Sequence, residues 1–328
     1  MRRPRILFRI AAGPRLGFGH LMRARRLATQ LGAEGWLSSR GSRLAARATT
    51  PLVPVAGGVR LLDRLRPDAV MLDTPVPSDG LRWTAAARRR GIPVISVHDA
   101  GIAPVPSDLA IDGSVAARGA INGAGQTLYG PRYAVIDPRT VRRSAHAARA
   151  SVRILVALGG GARASVAHRL ATAIATQHRH AHVVVAGGFV GTPRRLSPPN
   201  VEWLGPQDGL AHVFASADVA IVAGGVTLYE AGAAGVPPIP VAVVPAQVPA
   251  IRAFARHGAA LDPRVTLGGV AVDARSVARV VHAVTTLVED PRRRNAIADA
   301  GSRLVDGRGS ERVAGRVSRL IARDRGAA

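Results

Sequence analysis

Residues 216–247, SADVAIVAGGVTLYEAGAAGVPPIPVAVVPAQ, decide the fold. The apolar run Val219 to Val222 has the length of a buried strand. Gly224 and Gly225 end it and permit a tight turn. Thr227 is placed to cap a helix that starts at Leu228, with Tyr229 and Glu230 in its first turn. Gly235, Pro237 and Pro238 stop that helix. Pro240 to Val244 reads as the next strand. The pattern strand, glycine turn, helix, strand leaves unpaired backbone N–H groups at the C-terminal end of a sheet. Such a turn, running Gly224, Gly225, Val226, Thr227, is a ready site for an anion. Glu230 has two readings. It either stabilises the helix start by its charge, or it accepts hydrogen bonds from paired hydroxyls such as those of a ribose. A plain α/β unit with no ligand needs the same turns and caps, so the stretch alone leaves both open.

Working outward, 328 residues exceed what one core usually serves, which favours two domains. Aromatic residues make up only 3% of the chain. The cores must then be built from Ala, Val, Leu and Ile, which suits helices packed closely on sheets. There is no Cys, which excludes a disulfide, a thiolate nucleophile and a cysteine-built metal site. This fits a reducing compartment, and the expectation is a cytoplasmic protein. The start, MRRPRILFRI, is basic and then apolar, but Arg9 breaks the run. It reads as a first strand rather than a signal peptide, and no stretch is long enough to span a membrane.

The formal net charge is +24, carried entirely by arginine. A coding bias toward Arg, Ala and Gly is one cause; attraction to nucleoside diphosphates or an anionic membrane surface is another. The arginines are dispersed and not interleaved with aromatics, so a nucleic-acid partner is not expected. The groups Arg88 to Arg90 and Arg292 to Arg294 read first as solvated surface.

In chain order, Arg5 to Ile10 is strand one. A loop with Gly13, Gly17 and Gly19 follows, then a helix from about His20 to Leu31. His20 and Arg23, three apart, share a side of it. His20 can relay a proton near neutral pH, or merely cap and pack. Asp73 ends a buried strand, and His98 with Asp99 ends the next, so these side chains lie along one crevice of a parallel sheet. Their spacing is too generic for a metal site. Leu109 to Ile111 and Tyr133 to Ile136 read as further short strands. Pro138 to Ser151, polar and turn-bearing, is the best boundary. Past it the pattern restarts, with strand Ile154 to Leu158 and the loop Gly159, Gly160, Gly161, a phosphate cradle in physical terms. His178, His180 and His182 read as basic surface rather than a metal cluster. Gln247 stands near the start of a later helix, where an amide can read a base edge or a sugar hydroxyl.

Four motifs carry a family resemblance: Gly17-Phe18-Gly19-His20 with Arg23; Tyr129-Gly130-Pro131-Arg132-Tyr133; Leu158-Gly159-Gly160; and Ala223-Gly224-Gly225 through Tyr229-Glu230 to Gly235-Val236-Pro237 and Gln247. In this order they resemble the nucleotide-sugar hydrolases of bacterial pseudaminic acid synthesis and the related spore-coat polysaccharide proteins. More distantly they resemble the two-domain glycosyltransferases of peptidoglycan synthesis. The resemblance implies an α/β chain of two Rossmann-like domains facing across a cleft, the GT-B type. It divides the chain into 1–145 on the sugar side, 146–310 on the nucleotide side, and a last helix at 311–328 that packs back on the first domain.

By resemblance, His20 is the general base that activates a water, with Arg23, Asp73 and Asp99 beside it. Gly17, Gly19, the loop Gly159–Gly161, the turn Gly224–Thr227, Tyr229, Glu230 and Gln247 hold the nucleotide sugar, a UDP-sugar. No cofactor or metal is implied. The implied activity is release of free sugar and nucleoside diphosphate, for surface polysaccharide or sugar biosynthesis. The alternatives are transfer of the sugar to a lipid-linked or small-molecule acceptor, and non-catalytic binding. The arginine surplus makes attachment to the inner membrane face a further expectation. The chain departs from the family at Thr74-Pro75 after Asp73, at His98 where an aspartate is usual, at Tyr229 where Trp is common, and at Ala246 where Asn is usual. The nucleotide half is kept better than the sugar half.

Overall fold

The computed structural model describes residues 2–13, 17–41, 49–98, 105–141, 151–159, 163–188, 196–269 and 271–327. They form two compact units, Met1–Ile136 with Arg308–Ala328, and Asp137–Gly307.

The first unit runs β1 (Arg5–Ala12), α1 (Gly19–Leu31), β2 (Glu34–Gly41), β3 (Val53–Pro54), α2 (Leu61–Leu65), β4 (Ala69–Asp73), α3 (Pro77–Arg88), β5 (Val94–His98), β6 (Leu109–Asp112) and β7 (Thr127–Tyr129). All seven described strands pair in parallel, in the order β3-β2-β1-β4-β5-β6-β7. Leu7 faces Trp36 on one side and Val70 on the other. With Leu72, Val94 and Trp83 of α3 they form one apolar cluster. Side chains two apart on a strand share a face, so Arg9 points toward α3 as Leu7 does. Its guanidinium is buried there and fully engaged. Nε and Nη2 donate to the Asp79 carboxylate at 2.8 and 3.1 Å, Nη1 donates to Ser38 Oγ at 3.0 Å, and the Trp83 ring centre lies 5.5 Å away.

The second unit runs β8 (Arg153–Ala157), α4 (Ala164–Gln177), β9 (His182–Val185), β10 (Val201–Trp203), α5 (Ala211–Phe214), β11 (Val219–Ala223), α6 (Val226–Ala234), β12 (Pro238–Val241), α7 (Val248–Arg256), α8 (Ala274–Glu289) and α9 (Pro291–Leu304). Its strands are also parallel, in the order β10-β9-β8-β11-β12. The core is aliphatic: Ile154 and Val156 of β8, Val183 and Val185 of β9, Ile221 of β11, and Leu170 and Ile174 of α4. Helix α6 is buried from Leu228 to Ala234. A helix apolar on every side belongs inside a core, and α6 lies between its sheet and α9. The last helix, α10 (Gly309–Ala327), belongs to the first unit and packs on α1.

Both sheets share one topological feature. The chain builds outward from β1 through β2 to β3, then crosses to the other side of β1 to lay down β4. It repeats this from β8 through β9 and β10 to β11. The loops leaving the two central strands diverge, which opens a crevice at their C-terminal ends. His20 and Asp73 lie at that point in one unit; Gly159 and Gly224 lie at it in the other.

Four expectations need correction; one is the strand expected at Pro240 to Val244, which is Pro238–Val241. Glu34–Gly41 is a strand that the sequence reading passed over. Tyr133 to Ile136 is not a strand; Pro131–Tyr133 is a 3-10 turn, and the strand is Thr127–Tyr129. Helix α6 begins at Val226, with Gly225 as its cap and no side-chain cap bond. Thr227 is therefore inside the helix, and Glu230 falls in the second turn.

Candidate active site

In the first unit, α1 starts directly after the glycine loop, and the peptides of Gly13 and Gly17 bond each other in both directions across it. Gly17 and Gly19 are partly exposed beside His20. From α1, His20 and Arg23 both reach the last residue of β4. Asp73 is 2% exposed and Arg23 6%. Arg23 Nε donates to Asp73 Oδ2 at 2.9 Å and Nη2 to Oδ1 at 2.9 Å, a two-pronged pair. His20 Nδ1 lies 2.6 Å from Asp73 Oδ1.

Burial alone would raise the Asp73 carboxyl. The charges of Arg23 and His20, and hydrogen bonds from both, outweigh it and hold the group well below the usual carboxylate range. A carboxylate only accepts, so the proton in the 2.6 Å contact belongs to Nδ1. The 2.9 Å approach of Arg23 Nη2 to Nδ1 is then a by-product of both donors converging on Oδ1. The tautomer that results leaves the Nε2 lone pair free, and the side chain is 16% exposed. An imidazole fixed through Nδ1 by a buried carboxylate, with Nε2 open, is the arrangement of a general base.

Beside it, His98 ends β5. Its Nε2 lies 2.7 Å from Ser96 Oγ, which lies 2.7 Å from Ser107 Oγ, while Nδ1 is buried without a partner among the described residues. Burial pushes the His98 pKa down, against the pull of the Asp73 charge, so this imidazole is neutral at pH 7.

In the second unit, the turn Gly224–Gly225 leads from β11 into the N-terminus of α6. A β-carbon at Gly224 would meet Ile251 Cδ1 at 2.7 Å and Gln247 Cβ at 2.9 Å, so only glycine fits against α7 here. Gln247 Oε1 accepts the Val243 N–H at 2.9 Å, and its Nε2 faces Gly225. Val226, Thr227 and Gln247 are partly exposed. Tyr229 and Glu230 are 6% and 4% exposed. The Tyr229 ring packs edge-on against Phe254 at 5.0 Å, so both residues offer a ligand little surface.

The structure therefore brings together His20, Arg23 and Asp73 in one unit, and Gly224, Gly225, Val226, Thr227 and Gln247 in the other. Gly159 follows β8 and is exposed. Asp99, Gly160 and Gly161 lie outside the described residues. His178 bonds Thr285 Oγ1 at 3.0 Å and His182 faces Glu202 at 3.3 Å. Among the described residues no three His, Cys, Asp or Glu side chains gather to hold a metal ion, and no helix is long and apolar enough to cross a membrane.

Sequence reading missed Arg163. It caps α4 just after the Gly159–Gly161 loop, where its Nη2 donates to Val243 O at 3.3 Å while Nε is buried without a partner among the described residues. Burial pushes its pKa below the ordinary value. Val243 thus bonds Arg163 through its carbonyl and Gln247 through its N–H. A cation directly after a glycine run at a helix start was the available signal.

Comparison with known proteins agrees on the fold. No family model matches the chain. It is similar to the spore coat polysaccharide biosynthesis protein SpsG of Bacillus subtilis, 27% identical over 213 residues. The match covers 62% of this chain and 61% of SpsG, so the chain spans under two thirds of that relative's length. Acinetobacter baumannii MurG superposes with a TM-score of 0.62 at 18% identity, over 96% of this chain and 100% of that one. The spinosyn rhamnosyltransferase SpnG, complexed with thymidine diphosphate, superposes with a TM-score of 0.65 at 15% identity, over 96% and 99%. The chain resembles SpsG in sequence and has the two-unit Rossmann-like fold of the GT-B glycosyltransferases.

Proposed function

We propose that this chain is an enzyme that breaks the bond between the anomeric carbon and the diphosphate of a nucleotide sugar, with His20 as general base. The observation that carries this is the Asp73 carboxylate held by Arg23 and aimed at His20 Nδ1, which leaves Nε2 free at the switch point of a parallel sheet. An oxygen nucleophile gives its proton to Nε2 as it bonds to the anomeric carbon. The carbon–oxygen bond to the β-phosphate breaks, and the nucleoside diphosphate leaves with the electron pair.

The second unit holds that leaving group. The N-terminus of α6 at Gly225 and the Arg163 guanidinium supply positive charge for the diphosphate. Gln247 Nε2 faces the same turn as a hydrogen-bond donor. The nucleoside is uridine and the pathway is polysaccharide or sugar synthesis, both by resemblance.

Water is the nucleophile in the first reading, which makes the chain a nucleotide-sugar hydrolase. The hydroxyl of a lipid-linked or small-molecule acceptor is the nucleophile in the second, favoured by the fold likeness to MurG and to SpnG, a rhamnosyltransferase. Purified protein incubated with a panel of UDP- and TDP-sugars separates them. Diphosphate release in buffer alone establishes hydrolysis. Release only after cell lipid extract is added establishes transfer. Nucleotide binding with no release in either case would leave a binding protein and defeat the enzymatic reading.

A further inference from the structure

The second unit carries another concave surface, which shares no residue with the glycine turn, Arg163 or Gln247. A cavity of about 650 Å³ opens between α7 and the chain at 260–266, a volume within the range of small-molecule sites. Buried Ile251 and Val265 are among the lining residues, and four exposed arginines line it with them: Arg252, Arg256, Arg264 and Arg293. Arg252 and Arg256 are one turn apart on α7 and share a face. Arg293 comes from α9, inside the arginine triplet that the sequence alone presents as plain surface.

None of these four guanidinium groups makes an ion pair or hydrogen bond with the described residues. Elsewhere arginines beside carboxylates do pair, as Arg90 with Asp63 at 2.7 Å and Arg308 with Glu311 at 3.1 Å. Here the one acid in the lining, Asp262, spends Oδ1 on the backbone N–H of Arg264 at 2.7 Å. That bond holds Arg264 at φ 54°, a left-handed conformation that a non-glycine residue adopts only at a cost. An arginine surplus explains unpaired arginines scattered over a surface. It does not explain four of them around one cavity whose one acid among the described lining residues bonds a backbone N–H.

We propose that this cavity binds a ligand with clustered phosphate charge, a diphosphate or polyphosphate group on a small organic body. Several planar guanidinium forks suit adjacent phosphates, each by two parallel bonds, and the aliphatic lining residues suit the organic part. The group is either that of a soluble metabolite or that of a phospholipid headgroup, and the test distinguishes them.

Pyrophosphate binding to the full-length protein is measured by calorimetry, and in parallel co-sedimentation with phosphatidylcholine vesicles doped with diacylglycerol pyrophosphate is measured. The double variant R252Q/R264Q is compared with R88Q/R89Q, which removes the same charge from exposed positions of α3 and the residue after it. The expected result is that R252Q/R264Q weakens pyrophosphate about tenfold or more while R88Q/R89Q stays within about twofold. Loss of vesicle binding in R252Q/R264Q alone, with pyrophosphate unaffected, assigns the headgroup. If the two double variants behave alike in both assays, or the wild type binds neither probe, the site does not exist. Far-UV circular dichroism checks folding, and the single change Arg256→Gln replaces R252Q/R264Q should that variant unfold.

Discussion

The Asp73 carboxylate is the least replaceable group in the first unit, because both the Arg23 guanidinium and the His20 imidazole depend on it. Changing it to Asn keeps the shape but turns an acceptor into a group that can donate to His20. The imidazole then loses the tautomer that leaves Nε2 free, and Asp73→Asn should lower kcat by about 10²–10⁴, as for the comparable change in a Ser-His-Asp triad. The same change leaves Arg23 buried beside a neutral amide, which should cost about 3–5 kcal/mol, measured by urea unfolding at pH 7. The sign with pH follows from the depressed carboxyl. Its contribution is complete above the ordinary value of 3.8 and is lost as pH falls further toward the folded value. The stability gap between wild type and Asp73→Asn should therefore be full at pH 7 and narrow in acid; a constant gap would show that the charge plays no part. Arg163 makes the matching prediction in the second unit. Arg163→Gln should weaken UDP about tenfold or more, the worth of a charge-assisted bond, and leave uridine unchanged in the same calorimetric titration. Equal weakening of both would remove Arg163 from the phosphate site.

At the scale of elements, what places these residues is the start of a helix after a central strand. The start of α1 was legible, because Gly17-Phe18-Gly19-His20 follows an apolar strand and precedes a helical pattern. The link from His20 to Asp73 came from the family resemblance alone, since 53 residues separate them and only the crossover of the sheet brings them together. Strand β2 hid for a related reason. Its residue Ser38 is polar because Arg9, buried opposite it, needs a hydroxyl, so the strand does not read as apolar. The start of α6 moved by two residues because Gly225 takes the cap with its own backbone, and that shift carries Glu230 away from the first turn. The turn itself makes a prediction. A methyl group at Gly224 must displace Ile251 or Gln247, so Gly224→Ala should cost about 1–3 kcal/mol and weaken UDP binding in calorimetry. Unchanged affinity would mean that Gln247 and the turn do not read the nucleotide.

For the whole molecule, the first unit is completed by the far end of the chain. Helix α10 buries Val313, Val317 and Ile321 and packs on α1, the helix that carries His20. Ser310 Oγ donates to Ile136 O at 2.8 Å and Arg312 to Arg132 O at 2.9 Å. This explains why the run Tyr133 to Ile136, buried from Ala134 on, resembles a strand in sequence and is none: its carbonyls and close packing serve the returning helix, with Gly309 pressed against Ala134. A chain ending at residue 307 loses three buried aliphatic side chains worth about 1.5–3 kcal/mol each. It should keep UDP binding, lose diphosphate release, and expose the segment before 136 to limited proteolysis; an intact proteolytic pattern would show that α10 is dispensable. The central claim rests on one nitrogen of one imidazole, and diphosphate release from a turned-over nucleotide sugar by His20→Ala tests it most directly. The account predicts a rate lowered about 10²–10⁴-fold with UDP affinity unchanged, whereas release at the wild-type rate would contradict it.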